Sequence, residues 1–258
     1  MFDELRPHLK ELRKRLGISL AVVFIMFFVC FSFWEPLLAW MIHPLNGVLP
    51  EGSHVIFTKV QEPFFTALKV SFFAAIMISL PVIFWQFWLF VSPGLYEEEK
   101  KLVIPFVFFA TFMFISGAAF CYYVVVPIGF NFLINFGAQL FTAFPSIGEY
   151  VGFFTKLLFG FGIAFELPVI TFFFAKLGLV DDKALIGFFR YAIIIIFAVS
   201  ALLTPPDVLT QFLMAGPLLV LYGLSIIVAR MVNPASKREE SDEENKEDTE
   251  TKEIEDKK

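Results

Sequence analysis

The sequence predicts an all-α membrane protein with six transmembrane helices, both termini cytoplasmic and the last two helices short. Three observations carry that prediction. The chain has 258 residues, 58% of them hydrophobic, with 37 Phe and only 17% charged, and a soluble domain of that size cannot bury so much apolar surface. Uncharged or nearly uncharged stretches recur at span length, at about 17–35, 64–90, 103–126, 150–175, 191–206 and 209–229. With six spans, Lys and Arg number 5 in residues 1–15, 2 in 91–102, 3 in 176–190 and 7 in 230–258, all on one side. Such an excess marks the cytoplasm.

The elements follow in order. Residues 2–16 form an amphipathic segment. At 100° per residue, Glu4, His8, Glu11 and Arg15 fall on one stripe. Leu5, Leu9, Leu12 and Leu16 form a second stripe, expected to lie on the membrane or the protein body and to leave the polar stripe exposed beside it. Leu16 to Trp34 is uncharged over 19 residues with no small-x-small cleavage site after it, so it reads as a retained first span. Pro36, Pro44, Pro50 and Gly52 mark the loop that follows as irregular. Trp85, Trp88 and Tyr96 near the end of the second span fit an interfacial aromatic belt. Residues 127–148 are uncharged but rich in Pro, Gly and amides. Counting them as a seventh span would also move Lys176, Lys183 and Arg190 to the far side, so they read as a loop. Lys69 and Lys156 sit where their ammoniums can snorkel to the interface. Cys30 and Cys121, inside apolar runs, read as small buried side chains.

Only 39 residues separate Arg190 from Arg230, with Thr204-Pro205-Pro206-Asp207 near the middle. Each crossing then has roughly 24 to 30 Å of uncharged helix against a hydrocarbon core of about 30 Å. A tight hairpin with interfacial ends and a locally thinned bilayer both fit. Residues 1–233 make up the membrane domain. Residues 234–258 are expected to form a disordered acidic cytoplasmic tail: 231–258 hold 11 acids and 6 bases, which accounts for the whole net charge of −5.

Three carboxylates stand out. Glu11, in His8-Leu9-Lys10-Glu11-Leu12-Arg13-Lys14-Arg15, and Glu99, in Glu97-Glu98-Glu99-Lys100-Lys101, lie in basic surroundings on the cytoplasmic face. Acids there suit a cationic ligand, and the planar guanidinium of arginine fits a carboxylate in bidentate fashion. Glu166, before Pro168, lies well inside the fourth span, where a carboxylate costs about 2.5–3.5 kcal/mol at the bilayer centre. Gln211 at the start of the sixth span is a candidate neighbour, and Gln86 in the second span is a polar group that needs a partner. The histidines are His8, His43 and His54, none in a membrane core, and the motifs of common intramembrane hydrolases and of phosphate-binding loops are absent. No catalytic residue, metal ligand or cofactor site is therefore assigned, and any energy source must lie outside the chain.

Four segments together carry a family resemblance: His8-Leu9-x-Glu11-Leu12-Arg13-x-Arg15-Leu16; Phe87-x-x-Phe90-x-x-Pro93-x-Leu95-Tyr96-x-x-Glu99; Phe161-Gly162-x-x-Phe165-Glu166-x-Pro168; and Leu203-Thr204-Pro205-Pro206-Asp207-x-x-x-Gln211. In order and spacing they resemble the TatC family, the multi-spanning subunit of the twin-arginine protein translocase. The resemblance implies a glove-shaped six-helix protein of the bacterial cytoplasmic (inner) membrane, not an enzyme. It would bind the twin-arginine signal peptides of folded cargo proteins, self-associate in a larger complex, and assemble with TatA- and TatB-like single-span partners for export driven by the proton-motive force. It further implies that Glu11 and Glu99 receive the two arginines, with His8, Arg15 and Phe90 in the same patch. Glu166, Gln211, Asp207 and Gln86 are assigned to the groove that engages partner helices. The ligands implied are peptide, partner helices and the lipid bilayer, with no nucleic acid. Two other readings stay open: a small-solute secondary transporter using Glu166 as its coupling site, and a purely structural scaffold.

Overall fold

The computed structural model describes residues 2–92, 99–136, 140–204 and 207–234, with the side chains of 2–8, 99 and 102 outside the description. Nine α-helices lie among these residues: α1 (Phe2–Phe31), α2 (Trp34–Asn46), α3 (Glu62–Val91), α4 (Val103–Phe120), α5 (Val126–Asn135), α6 (Ile147–Phe165), α7 (Leu167–Lys176), α8 (Asp182–Leu203) and α9 (Val208–Val232). They combine into six helical rods long and apolar enough to cross a membrane: Leu9–Phe31, Glu62–Val91, Val103–Asn135, Ile147–Lys176, Asp182–Leu203 and Val208–Val232. The rods alternate in direction. Residues 92, 99–102 and 177–181 therefore share a face with the start of α1, called here the N-terminal face. The segments after α2, α5 and α8 lie on the opposite face.

α1 is one continuous helix, so the amphipathic segment runs straight into the first span. Of its polar stripe, Glu11 and Arg15 are part-buried and Arg15 reaches Gln86 on α3, while Leu9, Leu12 and Leu16 face outward. A protein surrounded by lipid loses little by presenting leucine outward, whereas a guanidinium needs polar company.

The loop after the first span is not irregular throughout, because it opens with helix α2 despite its prolines. Pro36 falls in the first turn, where backbone N–H groups have no helical acceptor. Pro44 deprives the Trp40 carbonyl of its usual donor, and the Tyr122 hydroxyl donates to that carbonyl instead at 2.9 Å. The two rings stack at 4.4 Å.

The third rod also departs from the expected end near 126, continuing to Asn135. Cys121–Val125 form a turn of π-helix, with Val126 N–H donating to the Cys121 carbonyl, immediately before Pro127. The widened turn absorbs a proline that cannot donate, and the helix resumes beyond it.

Trp88 is not part of an interfacial belt. It is 1% exposed, packed edge-on against Phe106 and Phe173 at ring distances of 4.6 and 4.4 Å. Trp85, one turn back, is exposed, and Tyr96 lies outside the described residues, as do Pro205, Pro206 and the acidic tail. Cys30 and Cys121 are buried free thiols.

The larger core lies where α4 and α6 meet. A Cβ on Gly162 would come within 2.5 Å of the Phe114 ring, and one on Gly117 within 2.6 Å of the Phe161 carbonyl oxygen. Gly216 and Gly223 in α9 have nothing within 4 Å of the same position. Gly162→Val is therefore expected to destabilise the protein by about 1–3 kcal/mol through overpacking, whereas Gly223→Ala leaves stability unchanged or slightly raised. Thermal unfolding in detergent, followed by loss of the monodisperse species, checks both.

At the opposite face, Glu62 opens α3 and fastens the preceding loop to the start of α6. Its carboxylate accepts from the Thr58 N–H at 2.7 Å, the Thr58 hydroxyl at 2.9 Å, the Gly148 N–H at 2.7 Å and the Ser146 hydroxyl. Ile56 and Ser146 form a single β-bridge beside it. Nothing in the sequence reading singled out Glu62. The signal available was an acid in the first turn of a helix, with Pro63 beside it.

The last two helices, at 22 and 25 residues, are shorter than the three rods before them, which run to 30, 33 and 30. Their junction is built by capping. Asp207 accepts from the Thr210 N–H at 2.8 Å and from its hydroxyl, and the Thr204 hydroxyl donates to the Ser200 carbonyl. Leu203 packs onto Gly160, which lies about 20 Å along the axis from the start of α6. The corner thus stops well short of the face that α3 and α6 reach. Spin labels along 191–229 are expected to become water-accessible within about 12 Å of the bilayer centre on the corner side. A dry profile of full thickness would contradict this.

Candidate functional site

The N-terminal face carries a polar cluster built by two helices. α1 packs along α3, which brings Arg15 beside Gln86. Arg15 donates to Gln86 Oε1 at 3.4 Å and to Glu11 Oε1, one turn back on its own helix, at 3.3 Å. The side chains of Arg15 and Glu11 are 23% and 33% exposed. An ion pair that open contributes about 0–1 kcal/mol, so it positions Glu11 without saturating it. Gln86 thereby finds its partner on the N-terminal face rather than beside Glu166, the groove to which it was assigned. The Arg15 Nε is buried with no acceptor among the described residues.

Phe90, the next-to-last residue of α3, is half-buried near this cluster's end of the helix. Glu99 begins a 3-10 turn, Glu99–Leu102, that leads into α4. His8 lies on α1 one turn before Glu11. The side chains of Glu99 and His8 lie outside the description, and so do Glu97 and Glu98. The turn between α7 and α8 completes the face: Gly178 adopts a left-handed φ of 71° and Asp181 caps α8, accepting from Ala184 N–H at 2.7 Å. Asn233 donates to the Val180 carbonyl at 3.0 Å, tying in the end of α9.

Mid-membrane polarity is arranged separately. The fourth rod breaks at Glu166. Pro168 cannot donate to the turn before it, and the Glu166 N–H bonds back to the Ile163 carbonyl at 3.1 Å in a tighter turn. Glu166 is 6% exposed, and its Oε1 has no hydrogen-bond partner among the described residues. Gln211 does not supply one, because its amide donates to the Phe197 carbonyl at 3.1 Å and ties α9 to α8. Asp207 is occupied in capping α9. The four residues assigned to one groove thus serve three different places.

The profile of the family described as Sec-independent protein translocase protein (TatC) matches residues 7–217. The chain belongs to the TatC family. It is similar to the Sec-independent protein translocase protein TatC of Campylobacter jejuni, with 61% identity over 94% of this chain and 100% of the relative. The protein of the same name from Helicobacter pylori J99 is 51% identical over 95% of this chain and 96% of the relative. A crystal structure described as twin arginine translocase receptor TatC superposes with a TM-score of 0.80 at 37% identity, covering 87% of this chain and 99% of that one. As a TatC-family member the chain is a multi-span membrane component of a protein translocase and not an enzyme. That leaves the small-solute transporter reading without support.

Proposed function

We propose that the chain is the receptor core of a twin-arginine translocase in the bacterial inner membrane, with its N-terminal face in the cytoplasm. The observation that carries this reading is the Glu11 carboxylate, 33% exposed and held at one oxygen by Arg15, on the same face as the turn that starts at Glu99. Consecutive arginines in an extended peptide point in opposite directions, so carboxylates on two separate segments suit them. One guanidinium displaces Arg15 from Glu11, and Gln86 retains Arg15 so that it does not swing into the site. The second guanidinium goes to Glu99, with His8 and Phe90 lining the approach and Glu97 or Glu98 able to share the charge. Glu166 then meets a polar group of a single-span TatA- or TatB-like partner, which supplies the hydrogen bond that the described residues leave open. Self-association builds the larger complex, and the proton-motive force drives export.

Photo-crosslinking tests the placement. A twin-arginine signal peptide is expected to crosslink to probes at residues 8–15 and 93–101. Absence of adducts at both segments, with adducts elsewhere, would refute it.

A further inference from the structure

Lys69 on α3 and Lys156 on α6 line one groove of ≈ 460 Å³ together with Phe72, Phe159, Ile163 and Val199. Both lysines are exposed, and Lys69 Nζ reaches to within 4.0 Å of the Cβ position of Gly152, one turn before Lys156 on α6. No carboxylate among the described residues pairs with either lysine. Two ammoniums therefore share one apolar groove with no countercharge among the described residues.

We propose that this groove binds one anionic phospholipid of the leaflet opposite the N-terminal face, its phosphate between Lys69 and Lys156 and an acyl chain along Phe72, Phe159 and Ile163. Depth supports this occupant. The two lysines lie about 10 and 14 Å along their helices from the start of α3 and α6. These 30-residue rods span about 45 Å, roughly 15 Å more than the hydrocarbon core. Centred in the bilayer, they place both lysine backbones only about 3–6 Å inside it, close enough for the ammoniums to reach the phosphates. Below them the α8–α9 corner packs at Gly160, so the groove opens above a recess into which a headgroup can descend. Phe72 and Ile163, 51% and 61% exposed, turn toward the lipid. A purely apolar partner helix seated there would trap two unpaired cations, whereas an anionic lipid neutralises them and fills the groove.

The test is native mass spectrometry of the delipidated full chain titrated with phosphatidylglycerol or phosphatidylcholine. A phosphatidylglycerol carrying a diazirine in its acyl chain maps the site. One phosphatidylglycerol is expected to bind in preference to phosphatidylcholine and to label α3 and α6 around Phe72 and Phe159. Lys69→Gln and Lys156→Gln should each weaken it about fivefold, and together about 25-fold, while Lys69→Arg with Lys156→Arg keeps it. Lys59→Gln, in the preceding loop, is the unaffected control. Equal binding of the two lipids, displacement by millimolar inorganic phosphate, or full binding and unchanged labelling in the double Gln variant would each overturn the proposal.

Discussion

Glu11→Ala and Glu99→Ala are each expected to weaken binding of a twin-arginine peptide by roughly 10- to 150-fold. A hydrogen bond to a charged group is worth about 1.5–3 kcal/mol, and solvent and salt screening pull the loss toward the lower end. The two sites differ in one respect. Glu11 is the carboxylate that Arg15 contacts, so Glu11→Ala also leaves a partly buried guanidinium held by Gln86 alone, beside the incoming cation. The Glu11 variant should lose more affinity than the Glu99 variant, and adding Arg15→Gln should recover part of the difference. Isothermal titration of the purified protein with the peptide measures all three.

Glu166 is expected to separate stability from assembly. Its Oε1 is buried without a partner among the described residues, an arrangement that costs about 1–3 kcal/mol for a polar group. Glu166→Leu should therefore leave the thermal stability of the isolated chain unchanged or raised. The same substitution should abolish co-purification of single-span partners from detergent extracts, because their polar group would then face hydrocarbon. Glu166→Gln, which still offers an amide, should be mild in both assays. If the Leu and Gln variants both retained partners like the parent, the carboxylate would be an accident of packing.

What the sequence made legible follows from what a bilayer demands. Length, charge-free runs and the one-sided cations located six rods, because hydrocarbon punishes charge wherever it falls. Which face of a rod turns inward was not legible, since lipid and core are equally apolar. Trp88 is buried and its neighbour Phe87 is 56% exposed, although both are large aromatics. Prolines misled for a related reason. Pro44 and Pro127 break isolated helices, yet here a tyrosine hydroxyl from another helix and a π-turn repair them. The hydroxyl is remote in sequence, and the π-turn, though adjacent to its proline, has no residue signature that announces it. The site divided in the same way. Glu11, Glu99 and Glu166 stood out as carboxylates in unusual company, but sorting Gln86 from Gln211 required knowing that α1 packs on α3 and α8 on α9. Glu62 was passed over because an acid at a helix start ordinarily caps only its own helix, whereas this one also fastens α6.

The central claim is that this protein reads guanidinium chemistry with carboxylates on its N-terminal face. Titrating a twin-arginine signal peptide and its twin-lysine counterpart into the parent, Glu11→Ala and Glu99→Ala proteins at two salt concentrations tests it most directly. The parent is expected to prefer the arginine peptide, because lysine cannot bind bidentately. That preference should shrink in each variant, and higher salt should weaken the parent most. Equal affinity of the parent for the two peptides, or no loss in either variant, would contradict the assignment.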